Sequence, residues 1–186
     1  YMARAGRGMY AQGDRWRALS WVSQSLRFQP LDDDELALRA EILMELGDAE
    51  WALRDARRAA AAAPASARRQ YLLARATRRA LGEHEARGAL LEAMEDADMR
   101  EQAYELYCQT YSMTGELADG EACTRALVKE FPRNGEGWRM MAWIRGVQDD
   151  PSQAEAIDQF VKYHDLERWP HHASTLERIR QARARP

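Results

Sequence analysis

In 186 residues the chain has two lysines (Lys129 and Lys162), three phenylalanines, six prolines and two cysteines. Two cysteines cannot build the disulfide framework of a small secreted domain. Cys108 and Cys123 fall on neighbouring predicted helices and are expected as buried thiols acting as small apolar groups, with a redox pair as the alternative. No apolar run approaches the ~20 residues that span a bilayer, and no signal-peptide pattern opens the chain. Direct membrane insertion is therefore not expected. A net charge of −3 gives no global field to recruit nucleic acid or an acidic membrane.

The chemistry of catalysis is also missing. There is no glycine-rich phosphate loop, no nucleophile elbow and no HExxH, so neither an enzyme nor a cofactor is expected. Among the histidines, His84 sits in a predicted turn, His164 reads as a packing residue, and His171-His172 stand at a helix start. None has the spacing of a metal site, and no metal is expected. The bias to arginine and alanine points to a GC-rich bacterial genome. Because the chain begins at Tyr1 almost inside a repeat, it reads as part of a longer protein. Bacterial cytoplasm, periplasm and a membrane tether supplied by an upstream segment all stay open as locations.

What the sequence does have is a period. Pro64 steps by thirty-four residues to Pro30 and, through Asp98, to Pro132; Gly47 steps to Gly13 and Gly115, with Gly82 one residue out of phase. Apolar residues recur at helical spacing between these marks, as at Leu36, Ala40 and Leu43. Small residues recur where two antiparallel helices would approach closely, pairing Gly6 with Ala18, Ala40 with Ala52, Ala74 with Ala86 and Cys108 with Gly120. The units run over about 1–30, 31–64, 65–98, 99–132 and 133–169, with a last helix over 171–185, all read as a single domain.

Each unit has its own features. Trp16 and Trp21 in the first are expected to be partly buried against the second. Asp32, Asp33, Asp34 and Glu35 open the second, where acids favour the positive helix end and the glycine turn of a calcium loop is missing. The third unit carries Arg68, Arg69, Arg75, Arg78 and Arg79 with no acid among them. That helix is either a solvated face or a basic strip for an acidic segment. In the fifth, Pro151 is expected at the first position of a helix whose packed face is Ala154, Ile157, Val161 and His164. The last helix has a thin seam of Leu176, Ile179 and Ala182, suited to capping a stack with a wet outer face.

A thirty-four-residue period of helix, glycine turn, small residue and closing proline resembles the tetratricopeptide repeat (TPR). The resemblance implies an all-α solenoid of about five helical hairpins in a right-handed superhelix with a C-terminal capping helix. It also implies a concave groove, lined by the first helix of each hairpin, that binds a segment of another protein. Counting one position past the packed stripe places Arg7 and Tyr10 in that groove, then Glu41 and Met44, then Tyr71, Arg75 and Arg78. Gln109 follows from the fourth unit, and Arg139 and Trp143 from the fifth. The groove lacks the lysines and asparagines that clamp a terminal carboxylate, so the partner expected is an acidic segment with apolar or aromatic anchors. Arg68, Arg69 and Arg79 are read as flanking controls. Two roles stay open: a scaffold in a bacterial secretion, polysaccharide-export or pilus-type assembly, or the regulatory or substrate-docking domain of a larger enzyme.

Overall fold

A computed structural model describes residues 2–184, so the expected helix end at 185 lies outside the described residues. Among them there are eleven helices and no strand. These are α1 (Met2–Ala11), α2 (Arg15–Phe28), α3 (Asp33–Leu46), α4 (Ala49–Ala62), α5 (Ala67–Ala80) and α6 (Glu83–Ala93). They continue as α7 (Ala97–Thr114), α8 (Leu117–Glu130), α9 (Gly135–Val147), α10 (Gln153–Tyr163) and α11 (His172–Arg183). The chain divides into two compact units, Tyr1–Tyr107 and Cys108–Pro186, the division falling within α7. No described helix is long and apolar enough to cross a membrane.

The hairpin turn is built by two residues with different tasks. At Gly47 the backbone enters the left-handed region (φ +88°), where a side chain would be strained. Its N–H donates to the carbonyls of Leu43 and Met44, closing α3. Asp48 then accepts from the Trp51 N–H and opens α4, a cap of a kind that contributes about 1 kcal/mol. Asp14 does the same for α2 through the Arg17 N–H at 3.1 Å. The fourth turn keeps its glycine but has Glu116, whose carboxylate accepts from the Thr114 hydroxyl and makes no cap. In the third, Gly82 itself stands at the N-cap, and α6 has 11 residues where α2 and α4 have 14.

All eight small positions expected at helix contacts are buried. At the two glycines among them the nearest neighbours differ from the expected partners by about a turn. Gly6 lies against Val22 and Trp21, and Gly120 against Tyr111 and Ser112. Residues that face each other in an antiparallel hairpin are equidistant from its turn, and counting by the repeat step misses that symmetry. The same symmetry puts Cys108 opposite Cys123, with Cα atoms 5.4 Å apart, and the two form a disulfide. The expectation of two free buried thiols is thereby corrected.

Four further readings change. Trp16 is 71% exposed, whereas Trp21 is half-buried. Pro151 lies in the turn before α10, whose N-cap is Ser152. The packed face of α10 is Ala156 and Phe160 with Ile157 half-buried, while Ala154 is exposed. On α11 the deepest side chain is His172, fully buried beside Leu176, and Ala182 is exposed.

Candidate functional site

In the first unit the expected binding residues divide into those already engaged and those that are not. Arg7 donates to Glu35 at 2.9 Å, and Glu35 is fully buried. This bond and the neighbouring carboxylates raise the arginine's pKa further. Tyr10 donates its hydroxyl to Glu45, which also takes Arg15. Burial and that hydrogen bond push the Tyr10 pKa up to about 12, so it is a fixed neutral donor. Arg69 is held by both Asp33 and Asp34. The acids at the start of α3 thus serve three ends: Asp32 caps the helix, Glu35 holds α1, and Asp33 and Asp34 hold α5.

Glu41 is half-buried and lines a cleft of about 320 Å³ with Arg7, Asp34, Arg68 and Arg69. Two of its three arginines, Arg7 and Arg69, are already paired with carboxylates. A second cleft, of about 330 Å³, is different: Met44, Glu45, Tyr71, Arg75, Arg78, Arg79 and Leu106 line it. Four of the expected residues, Met44, Tyr71, Arg75 and Arg78, meet there, although Met44 is only 7% exposed and contributes floor more than rim. The single acid among the lining residues, Glu45, is taken by Tyr10 and Arg15. Arg78 comes no nearer than 3.9 Å to Glu83. Arg75 lies 6.0 Å from the centre of the Tyr71 ring. Among the described residues neither Arg75 nor Arg79 pairs with a carboxylate.

Two of the flanking arginines therefore lose their standing as controls. Arg69 is a structural ion-pair partner, and Arg79 lines the cleft itself. Sequence reasoning also passed over Leu106, which reaches the cleft from α7 and has no periodic mark to announce it.

In the second unit the expected residues converge on one buried carboxylate. Glu136, 1% exposed, accepts from Gln109 at 3.0 Å, from the Arg139 Nε at 2.7 Å and from His172 Nε2 at 2.6 Å. Burial by itself would raise its pKa, but the hydrogen bonds from Arg139 and His172 outweigh that and hold it at about 2. Gln109 and Arg139 are thus occupied inside the unit, and Trp143 is 46% exposed on α9. His172 stacks on Trp169 and meets Phe160 edge-on, so it anchors α11 by both ring and nitrogen. His171, His172 and Glu136 do bring one donor atom each within 4.8 Å. A cation there would compete with the Arg139 guanidinium for the same two oxygens.

No protein-family model matches the sequence, and no curated protein matches it. Solved structures do match. TTC0263 of Thermus thermophilus, described as a thermophilic TPR protein, is 22% identical with a TM-score of 0.68, covering 98% of this chain and 96% of its own. YrrB, described as a TPR protein with an unusual peptide-binding site, is 13% identical with a TM-score of 0.68, covering 96% and 90%. PilW, described as a widely conserved type IV pilus biogenesis factor, is 16% identical with a TM-score of 0.75, covering 87% and 76%. The likeness shows the fold: the chain has the all-α architecture of repeated helical hairpins found in tetratricopeptide-repeat proteins.

Proposed function

We propose that this chain is a non-catalytic interaction scaffold that binds an acidic, aromatic- or aliphatic-anchored segment of a partner protein in the cleft formed by Tyr71, Arg75, Arg78, Arg79 and Leu106. The observation that carries this reading is the charge imbalance of that cleft. Three guanidinium groups face a space whose one acid is already bound by other residues. Elsewhere in the first unit, Arg7, Arg15, Arg39 and Arg69 each have a carboxylate partner. Guanidinium pairs with carboxylate bidentately, and Tyr71, Leu106 and Met44 supply apolar surface for an anchor. The description of YrrB as peptide-binding supports a peptide ligand, and that of PilW supports a place in a bacterial assembly.

A panel of fluorescein-labelled peptides tests the proposal, with Asp and Glu alternating with Phe or Leu and with Lys replacing the acids in the counterpart set. The acidic set should bind and the basic set should not. A charge-assisted hydrogen bond contributes about 1.5–3 kcal/mol, so Arg75→Glu or Arg78→Glu should weaken binding by about tenfold to a hundredfold. Arg57→Glu, at an exposed position on α4, should change it less than about twofold. Equal small losses from all three would reduce the effect to diffuse charge and sink the assignment of the cleft.

A further inference from the structure

We infer that this protein works in an oxidising compartment, where Cys108–Cys123 is a permanent crosslink between α7 and α8, so that any partner it holds is met outside the reducing cytoplasm. The inference concerns where the chain works and does not depend on the proposed binding cleft.

Three observations carry it. The first is register. The only two cysteines of the chain come to lie opposite each other, both seven or eight residues from the Gly115-Glu116 turn. The second is approach. Packed helices have axes about 8–10 Å apart with Cα atoms about 2.3 Å off each axis, so Cα atoms that face each other directly fall within the ~7 Å a disulfide requires. Gly120, one turn nearer the hairpin bend than Cys123, has no side chain to hold the helices apart; a Cβ there would lie 3.4 Å from Tyr111 Cβ. The hairpin is therefore narrow where the bridge forms, and the Cα atoms stand at 5.4 Å. The third is shielding. Cys108 is fully buried and Cys123 half-buried, so the Cys108 sulfur is out of reach of an attacking thiolate while the hairpin is closed. A bond that is to be switched is exposed; a bond that is to last is covered.

Formation of the bond takes two protons and two electrons from the two thiols. A disulfide-bearing oxidant of the compartment accepts them and leaves as a dithiol. Such bonds persist in the bacterial periplasm and outside the cell, and are rare where glutathione or thioredoxin keep thiols reduced. The crosslink also has a mechanical consequence. Gln109, the residue after Cys108, donates to the buried Glu136. Holding α7 to α8 therefore also holds the donor that reaches the Glu136 network, to which His172 ties α11.

The test is thiol trapping in cells that carry the gene natively. Acid-quenched lysate is labelled with a light maleimide, reduced, and labelled again with a heavy one, and the peptides containing Cys108 and Cys123 are weighed. Both cysteines should carry the heavy label in more than about nine-tenths of molecules. Light label on both in most molecules would overturn the inference. The purified full chain provides a second readout by hydrogen exchange with and without dithiothreitol. Reduction should speed exchange in α8 at least about tenfold while α3 and α4 stay unchanged. Unchanged exchange in α8 would show that the bond clamps nothing. Cys108→Ala/Cys123→Ala should be indifferent to dithiothreitol, and failure of that variant to fold would leave the trapping result intact.

Discussion

Removal of the Asp55 carboxylate should destabilise the first unit by about 3 kcal/mol. Asp55 lies on α4 at 1% exposure, and Arg39 of α3 donates to it through two nitrogens at 2.6 and 2.9 Å. Arg58 stands 3.7 Å away on the outer side. In Asp55→Ala the Arg39 guanidinium keeps its charge and loses its partner, a change that costs about 3–5 kcal/mol when the pair is buried. The Arg39 side chain is 20% exposed and can recover part of its hydration, and Arg58 still donates to the Pro30 carbonyl. Both facts place the loss at the low end of that range. Replacing both partners, as Arg39→Leu/Asp55→Leu, removes charge and desolvation together and should cost less than about 1 kcal/mol. Repeat arrays do not always unfold in one step, so urea denaturation should be followed with hydrogen exchange of α3 and α4 in parallel. A loss below about 1 kcal/mol for Asp55→Ala, or a double variant as damaged as the single one, would refute the reasoning.

Other outcomes follow from the same geometry. Glu136 has a folded pKa of about 2 against an ordinary 4.5. Its contribution is therefore complete above pH 4.5 and lost as pH falls toward 2. In an acid titration of the near-ultraviolet circular dichroism, Glu136→Gln should lower stability at neutral pH and flatten the dependence in that window; a parallel, undiminished acid transition would count against it. Ala52 is fully buried, so Ala52→Leu should overpack the second hairpin at a cost of about 1–3 kcal/mol. An unchanged denaturation midpoint would remove Ala52 from the packed interface.

The hairpin architecture was legible because its causes are local. A glycine that can enter the left-handed region, followed by an aspartate that can cap, writes a helix turn into two adjacent letters. Repetition at thirty-four residues then says that neighbouring units bury the same face, and the buried small positions from Gly6 to Gly120 follow. The misplaced start of α10 has a local cause too: Ser152 takes the N-cap through the Asp150 carboxylate, and Pro151 is left in the turn.

Long-range partners were not legible, because no periodicity records them. Glu35 reads as one of four acids at a helix start, yet it differs from Asp33 in being buried under Arg7, 28 residues away. Glu136 and His172 are 36 residues apart and carry no shared motif, yet they form the buried bond that anchors α11. The same holds for the cleft lined by Tyr71, Arg75, Arg78 and Arg79. Five arginines on one helix look alike in the sequence, and the difference among them lies in which carboxylates stand opposite. Arg69 meets Asp33 and Asp34, whereas Arg75 and Arg79 face Glu45 only after Tyr10 and Arg15 have taken it. Helical spacing is a property of one segment and can be read along it. Charge balance belongs to a surface assembled from several segments, and it exists only once they have packed.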